Sequence, residues 1–299
     1  MNNVAIQPAT VAPTLRPCPL CDSKVSTPEF EGIRKCEECG FRFVNPLGYF
    51  HGEHESDNYF VSDYLTLHKA NWENSLEERR AHLRMISSYA DLPANPALLD
   101  LGCALGFMLK EAKAAGWKAT GVETSEFAAR YAADFSGCLV HQGTVQDGGF
   151  RSESFDVITM MDVIEHVVDL RSLMSDIHRL LRPGGVLFLI TPNFNSLFVK
   201  LYGSQAYGIG PDEHANYFQP STMRRLLRDS GFRNIDIRTK DLYAANLARL
   251  SGRTAAGEQC GSIKSAFSKQ SRFGFLRRLG NYVFAHIHIG DKLIALARK

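Results

Sequence analysis

The chain has 299 residues, a formal net charge of +2, 44% hydrophobic residues and 22% charged residues. These values are ordinary for a soluble globular protein and allow one full α/β domain with a small appendage. No uninterrupted apolar run approaches the roughly eighteen residues that span a bilayer, and the N-terminus lacks a basic-then-apolar signal pattern. The sequence therefore argues against a membrane-spanning or secreted protein and predicts a cytoplasmic one.

The N-terminal region contains a disordered lead-in and a cysteine-rich segment. Residues 1–16 have no apolar period and predict the lead-in. Residues 17–45 carry two Cys-x-x-Cys pairs separated by fourteen residues, which are Cys18, Cys21, Cys36 and Cys39. Four thiolates on two tight turns match the ligand set of a structural Zn²⁺ site. We therefore predict a zinc ribbon over 17–45, with four thiols without metal as the alternative.

Residues 46–90 are predicted to form a linker and an N-terminal lid helix. The linker contains His51 and His54, which we interpret as surface histidines because no cysteines accompany them. The helix is charged and covers about 65–90, and its residues alone predict that it covers one face of a sheet. Its apolar stripe consists of Leu76, Leu83 and Ile86.

From Pro96 onward, short apolar runs alternate with helical patterns. Strands are predicted at 97–101, 118–123, 138–142, 155–160 and 185–191, and helices at about 106–115, 125–134 and 170–181. This alternation predicts a parallel sheet with helices on both faces, which binds its ligands at the carboxyl ends of the strands.

The segment after the first of these strands has the features of a cofactor loop. Gly102 and Gly106 flank a sharp turn, and a helical stretch begins at Phe107. Glycines let the backbone approach a ligand closely, and the helix N-terminus offers free N–H groups. Glu123 ends the next apolar run, where a carboxylate can hold the hydroxyls of a ribose.

A second cluster of polar residues follows the fourth strand. Asp162, Glu165 and His166 are spaced i, i+3 and i+4, which on a helical turn places all three on one face. Two carboxylates and an imidazole could act as a general base or hold a divalent cation such as Mg²⁺. The alternative is that Glu165 and His166 cap a helix beside the cofactor without binding metal.

These segments, taken in order, resemble the sequence blocks of class I S-adenosylmethionine-dependent methyltransferases. The blocks are residues 100–106, 121–123, 155–158 and 181–188. The resemblance covers about residues 95–240 and implies an α/β fold, a Rossmann-like seven-stranded sheet with helices on both faces. A nicotinamide-cofactor Rossmann fold is the alternative, but the later blocks have no reason to occur there.

The resemblance also implies that the helix at about 65–90 is a lid over the cofactor cleft, and it implies how S-adenosylmethionine binds. The loop at 102–106 would hold its amino-acid end, Glu123 its ribose, and the segment after the third strand its adenine. Asp147 in that segment could instead be a turn residue. The implied cofactor-binding residues are Asp100, Gly102, Cys103, Ala104, Gly106, Phe107, Glu123, Thr124, Thr144, Val145, Met161 and Asp162.

Two narrower resemblances concern the methyl acceptor. Asp162, Glu165 and His166 are similar to the acid-x-x-Glu-His segment of ubiquinone-pathway O-methyltransferases, where these groups are associated with a divalent metal. Residues 211–218 resemble the Glu-His-x-x-x-Phe segment of a bacterial methyltransferase group that modifies sugars, polysaccharides or small metabolites. His214 is then the first candidate for the base, because a pKa near neutrality suits removal of a hydroxyl proton. The alternative is that His214 only holds its segment by hydrogen bonds. The other catalytic candidates are His166, Glu165 and Asp162.

Residues 91–299 would thus form the methyltransferase domain, with an insertion at about 243–290 before the last strand. Residues 243–299 hold ten Lys or Arg against two acidic residues, a basic excess that suggests an anionic contact. Within it, 271–290 has helical apolar spacing. That spacing suits packing on the sheet or, alternatively, peripheral contact with the inner face of a membrane and a lipid-linked acceptor.

We predict from these patterns an enzyme that O-methylates a small metabolite, a sugar, or a glycolipid or polysaccharide precursor. One alternative is an RNA methyltransferase, since a group of ribosomal RNA guanine methyltransferases also joins a Cys-Pro-Leu-Cys ribbon to this fold. The acidic body of the chain makes nucleic acid the less favoured substrate. A second alternative is a non-catalytic module that binds S-adenosylmethionine without transferring its methyl group.

Overall fold

The computed structural model of the chain describes residues 15–50, 72–240 and 288–299. The strands in these ranges are β1 (Ser26–Phe30), β2 (Ile33–Cys36), β3 (Arg42–Val44), β4 (Ala97–Leu101), β5 (Lys118–Glu123), β6 (Leu139–Gln142), β7 (Phe155–Met161), β8 (Leu181–Pro192), β9 (Asn216–Tyr217), β10 (Arg233–Lys240) and β11 (Lys292–Arg298). The α-helices are α1 (Trp72–Tyr89), α2 (Phe107–Ala114), α3 (Glu126–Ser136), α4 (Leu170–Leu180), α5 (Leu197–Tyr202) and α6 (Pro220–Asp229).

Seven of these strands form the central sheet, in the order β10-β11-β8-β7-β4-β5-β6. Strands β4 to β8 run parallel to one another, whereas β11 lies between β8 and β10 and is antiparallel to both. The central strands β4, β7 and β8 are mostly buried, as is typical of a parallel sheet with helices on both faces. The predicted Rossmann-like seven-stranded sheet is therefore confirmed.

Local sequence signals fix several helix ends. The Ser125 side chain accepts a hydrogen bond from the Ala128 N–H and begins α3, and Gly137 ends that helix in the left-handed conformation. Asp169 caps α4 in the same way through the Ser172 N–H. These caps hold the helices against the sheet edge at which the strands end.

Helix α1 covers one face of the sheet. Leu83 and Ile86 of its predicted stripe are buried against sheet residues that include Phe188. Leu76 packs nearer the N-terminal end, with Phe107 at the start of α2. The predicted apolar stripe is confirmed for 72–89, and the earlier part of the predicted helix lies outside the described residues.

A second, four-stranded sheet has the order β1-β2-β3-β9. Its first three strands belong to the cysteine-rich segment, and β9 comes from the region of His214. Cys18, Cys36 and Phe43 share one buried cluster with Leu173 of α4 and Phe218 after β9. The two parts of the chain are thus joined by a shared sheet and a shared core.

Three predictions from the sequence lie wholly or mostly outside the described residues. They are the linker histidines His51 and His54, residues 1–14 of the lead-in, and most of the basic insertion at 243–290. Among the helices that are described, none combines the length and the apolarity that crossing a membrane requires.

Candidate active site

The loop between β4 and α2 is a tight left-handed turn. Gly102, Ala104 and Gly106 all have positive φ, at 65°, 46° and 80°. A Cβ on Gly102 would lie 2.4 Å from Cγ2 of Val163, and a Cβ on Gly106 would lie 3.0 Å from Cα of Ala132. The first contact brings the loop against the end of β7, and the second packs α2 closely on α3, so both glycines are required by geometry.

Two buried carboxyl groups flank this loop. Glu123 accepts hydrogen bonds from the Ala104 N–H at 2.8 Å and the Ser125 N–H at 3.1 Å. Asp100 accepts one from the Thr159 hydroxyl at 2.6 Å, and its second oxygen has no hydrogen-bond partner in the described part of the chain. Burial raises the pKa of Asp100 to about 7 and also raises the pKa of Glu123. The unpartnered oxygen of Asp100 fits a ligand with an N–H or O–H donor.

The other predicted cofactor residues lie around the same edge of the sheet. Cys103 and Val145 are buried, Met161 is half-buried at the end of β7, and Thr124 is exposed beside Glu123. Phe107 begins α2 beneath Trp72, with ring centroids 4.8 Å apart. Burial raises the pKa of Cys103 well above its usual range, so this residue is a thiol that packs rather than a nucleophile.

The segment after β6 is a hydrogen-bonded turn. One oxygen of Asp147 accepts from both the N–H and the hydroxyl of Thr144. Asp147 therefore has the turn role that the sequence analysis gave as its alternative. The assignment of Thr144 and Val145 to the adenine stays a prediction.

The segment at 162–166 differs from the prediction. It is a turn rather than a helix, and Asp162 has a φ of 54°, with its N–H donating to the Ile190 carbonyl at 2.9 Å. The side chain of Asp162 is half-exposed, 3.8 Å from Nζ of Lys292. The prediction that Asp162, Glu165 and His166 share one helical face was wrong, because β7 continues to Met161 and the chain reverses immediately after it.

Glu165 points into the protein interior. It is buried, and one of its oxygens accepts a hydrogen bond from the Thr191 hydroxyl at 2.9 Å. Burial, with the nearby charge of Asp162, raises the pKa of Glu165 to about 8. The side chain is therefore a neutral carboxylic acid at pH 7 and a poor proton acceptor.

His166 and His214 meet in a single pair. Their ring centroids are 4.9 Å apart in an edge-on arrangement. Nδ1 of His166 lies 2.8 Å from the Glu213 carbonyl oxygen, and Nδ1 of His214 lies 3.0 Å from the Gly208 carbonyl oxygen. Since a carbonyl only accepts, each neutral imidazole is protonated at Nδ1, and its basic lone pair is then on Nε2.

Two residues near the site were not found from the sequence. The Asn216 side-chain amide donates to the carbonyls of Ile164 at 3.3 Å and Val167 at 2.7 Å, which fixes the turn that carries Glu165 and His166. Arg79 on α1 is mostly buried, and its positive charge acts on Asp100. Asn216 and Arg79 acquire these roles only through contacts with residues far away in the sequence. Neither the amide in β9 nor the guanidinium in α1 gives a local sequence signal of such contacts.

The four predicted cysteine ligands come together. Sγ of Cys18 is 3.6 Å from Sγ of Cys39, and Sγ of Cys21 is 3.5 Å from Sγ of Cys36. One sulfur from each residue lies within 4.8 Å of all the others, and the thiols are not joined as disulfides. A tetrahedral ion with Zn–S bonds of about 2.3 Å separates its sulfurs by about 3.8 Å. The cluster fits Zn²⁺.

Comparison with known proteins agrees with this geometry. A family profile described as a methyltransferase domain matches residues 74–237. The chain belongs to this methyltransferase family. It is 29% identical over 156 residues to a ubiquinone biosynthesis O-methyltransferase of Aromatoleum aromaticum, which covers 48% of this chain and 67% of that protein. The enzyme of the same name from Pseudomonas paraeruginosa is 31% identical over 156 residues, with the same coverage of 48% and 67%.

Solved structures show the same fold. A SAM-dependent methyltransferase from Archaeoglobus fulgidus aligns with a TM-score of 0.54 at 18% identity and covers 79% of this chain and 100% of its own. A SAM-dependent methyltransferase from Thermotoga maritima also aligns with a TM-score of 0.54, at 19% identity, covering 83% and 99%. The chain is therefore a SAM-dependent methyltransferase with a Rossmann-like sheet.

Proposed function

We propose that this methyltransferase transfers the methyl group to a hydroxyl oxygen of a small polar acceptor, with His214 as the base. The observation that carries the proposal is the contact between His166 and His214 beside the ends of β7 and β8. Nδ1 of each ring lies at hydrogen-bond distance from a backbone carbonyl, which assigns the basic lone pair of each neutral ring to Nε2. His214 is the first choice because it is buried, which limits competition from water, and His166 is the second.

The cofactor side follows from the β4–α2 loop. We assign the amino-acid end of S-adenosylmethionine to the loop at 102–106, with the free oxygen of Asp100 facing its ammonium group and Arg79 its carboxylate. Glu123 can accept a ribose hydroxyl at Oε2, where the Ala104 N–H occupies one of the two lone pairs. When bound, the cofactor supplies an electrophilic methyl group on a sulfonium. Asp162 borders this side, whereas Glu165 holds the turn and does not take the proton.

The acceptor would enter from the far side of the histidine pair. A cavity of about 410 Å³ is lined by residues 204–210 with Asp212 and Glu213. The carbonyls of Gly208 and Glu213, which anchor the two histidines, belong to its wall. Serine, glutamine, tyrosine and carboxylate side chains favour a polar, hydroxylated acceptor such as a sugar or small metabolite. Placement of the hydroxyl near the methyl group then supplies much of the rate.

The chain offers candidate ligand sets for two metals, Zn²⁺ and Mg²⁺. Zn²⁺ at Cys18, Cys21, Cys36 and Cys39 is supported by the sulfur spacing, and its role would be structural because all four positions are filled by protein. One ligand atom each from Glu165, His166 and His214 lies within 4.8 Å of the others. Two imidazoles and one carboxylate are a poor set for Mg²⁺, which prefers oxygen ligands. We therefore assign no step to Mg²⁺.

The test combines cofactor binding with methyl transfer. Purified protein is given S-adenosylmethionine labelled on its methyl group and an extract of its own host that lacks the protein. We expect label in the aqueous small-molecule or glycan fraction. We also expect His214→Asn to reduce transfer by about 100-fold or more while S-adenosylhomocysteine binds normally. Unchanged transfer in His214→Asn would overturn its assignment as the base.

The other fractions separate the alternatives. Label in the organic phase would indicate a lipid-linked acceptor and membrane contact through 271–290. Label in RNA, with a steep salt dependence of binding, would replace the small-molecule acceptor by nucleic acid. Cofactor binding with no label in any fraction would favour the non-catalytic module.

A further inference from the structure

The segment that carries His214 is held by the cysteine ribbon rather than by the methyltransferase sheet alone. Strand β3 of the ribbon pairs with β9, so that Arg42 is opposite Tyr217 and Phe43 is opposite Asn216. The Val44 N–H donates to the Ala215 carbonyl at 3.0 Å. Residues 215–217, which immediately follow His214, are therefore held by the main chain of the ribbon.

Two arginines strengthen this connection. Arg16 donates from Nε to the Val44 carbonyl at 3.1 Å and from Nη2 to the Ala215 carbonyl at 3.2 Å. One guanidinium thus bridges the end of β3 and the residue after His214. Arg42 forms an ion pair with Glu29 inside the ribbon and donates to the Gln219 side chain at 3.1 Å.

Apolar packing also joins the ribbon to the residue that follows β9. The Phe41 ring lies 5.1 Å from the Phe218 ring, centroid to centroid, and both are fully buried. Phe41 comes two residues after Cys39, and its carbonyl accepts a hydrogen bond from the Cys36 N–H at 2.8 Å. The turn that carries Cys36 and Cys39 is therefore connected to Phe218 through Phe41.

Hydrogen bonds also join β9 to the turn that carries His166. The Asn216 N–H donates to the Glu165 carbonyl at 3.0 Å, and its side-chain amide holds Ile164 and Val167. A shift of β9 consequently moves His214 directly and the turn with His166 through Asn216. The hydrogen bonds of the loop at 102–106 run to β5, to α2 and within the loop itself, and Gly102 meets the turn at 162–167 by packing against Val163.

We propose that the metal-bound ribbon is a positioning element for the methyl-acceptor side of the site, with Arg16 as the residue that transmits its fold to His214. Metal at the four cysteines fixes β3, which fixes β9 and the histidine pair, whereas the cofactor loop is held by hydrogen bonds to β5 and α2. The proposal rests on the catalytic role assigned above to His214, but its structural content is measurable without an acceptor.

The first test removes the metal from the full-length protein with a chelator and follows amide hydrogen exchange. We expect exchange in 214–218 and 164–167 to rise by about ten-fold or more, while exchange in 97–123 stays the same. Affinity for S-adenosylhomocysteine should remain within about two-fold, and added Zn²⁺ should restore protection. Unchanged exchange at 214–218, or equal loosening of 97–123, would overturn the proposal.

The second test keeps the metal and changes only the bridge. Arg16→Ala should bind the metal normally but lose the single Nδ1–H form of His214, as read from the ring ¹⁵N resonances. Arg16→Lys should restore part of that signature, because an ammonium can donate to one of the two carbonyls. The matched control is Arg34→Ala, since Arg34 bonds to Ser26 within the ribbon. Equal spectra for Arg16→Ala and Arg34→Ala would contradict the assignment of Arg16.

These readouts also separate the two proposals. If His214 is not the base, His214→Asn keeps its activity, yet the ribbon still controls exchange at 214–218. If the ribbon does not position the histidines, exchange is unaffected by metal, yet His214→Asn still loses methyl transfer.

Discussion

The two sides of the proposed active site, one assigned to the cofactor and the other to the acceptor, are built in different ways. The cofactor side comes from one continuous stretch, in which β4, a glycine loop, α2 and β5 follow each other along the chain. The acceptor side brings together the ribbon, the turn at 162–167, the end of β8 and the segment at 214–218. The cofactor side is thus a continuous unit, whose form depends on local turn geometry. The acceptor side is an assembled unit, whose form depends on contacts between segments that are far apart in the sequence.

This difference predicts which changes affect which activity. Damage to the continuous unit should abolish cofactor binding directly. Damage to the assembled unit should leave the cofactor bound and misplace the histidines, because the connecting contacts run through β9 and not through the loop.

The largest effect is expected for Gly106→Ala. A Cβ there would lie 3.0 Å from the backbone Cα of Ala132 at a φ of 80°, so α3 must move. We expect a loss of about 2–4 kcal/mol in the free energy of unfolding and a loss of S-adenosylhomocysteine binding, measured by denaturation and calorimetry. The control is Gly116→Ala, which has a φ of 83° but only Asn95 at 3.7 Å, and should lose about 1–2 kcal/mol with binding intact. Equal losses in the two variants would show that the contact with α3 is unimportant.

The next effect should fall on the acceptor side. Asn216→Ala removes two donors to the turn that carries Glu165 and His166. We expect a stability loss of about 1–3 kcal/mol and a fall in methyl transfer of about 10–100-fold, with cofactor affinity unchanged. Asn193→Ala is the matched control, because its amide also donates to two carbonyls but holds residues 288–290. It should lose stability without faster amide exchange at 164–167, and an identical exchange pattern in the two variants would count against the role of Asn216.

The same contrast explains what the sequence could predict. Apolar periodicity located the parallel strands to within a few residues, and the glycines predicted the tight loop to which we assign the cofactor, because both are local properties. Two Cys-x-x-Cys pairs likewise predicted the sulfur cluster. These features need only near neighbours in the chain to take their form.

The acceptor side could be predicted only in part. His214 and His166 were singled out as residues, but their contact depends on a two-residue strand, β9, that has no periodic signal. The helical spacing of Asp162 and His166 was misleading, since the N–H of Asp162 bonds to Ile190 on β8 and a left-handed residue breaks the helix. Asn216 acquires its role through pairing with a strand far away in sequence, which a local pattern cannot reveal.

A pH-dependent effect should follow from Glu165. Its pKa is about 8 in the folded protein and about 4.5 when exposed, so the folded state holds a proton that the unfolded state releases between these values. The stability contributed by this group is present below about pH 4.5 and is lost as the pH rises through about 8. Between pH 5.5 and 8.5, the wild type should therefore lose on the order of 2–3 kcal/mol more than Glu165→Gln.

Denaturation of both proteins at the two pH values measures this difference, and the comparison cancels groups common to both. Asp100→Asn serves as a second reference, because the pKa of Asp100 is raised to about 7 on the cofactor side. If the gap between wild type and Glu165→Gln does not change with pH, Glu165 is ionised, and its assignment as a neutral positioning group is wrong.

The smallest effect is expected for Ala104→Gly, which tests strain in the continuous unit. Ala104 has a φ of 46° and donates its N–H to Glu123. A left-handed alanine costs about 1–2 kcal/mol, but glycine loses more chain entropy on folding, so the net gain should be at most about 1 kcal/mol. Thermal denaturation should show a small stabilisation with cofactor affinity nearly unchanged. A large loss of affinity would mean that the methyl group of Ala104 itself contacts the cofactor, and the loop would then determine binding through its side chains as well as its backbone.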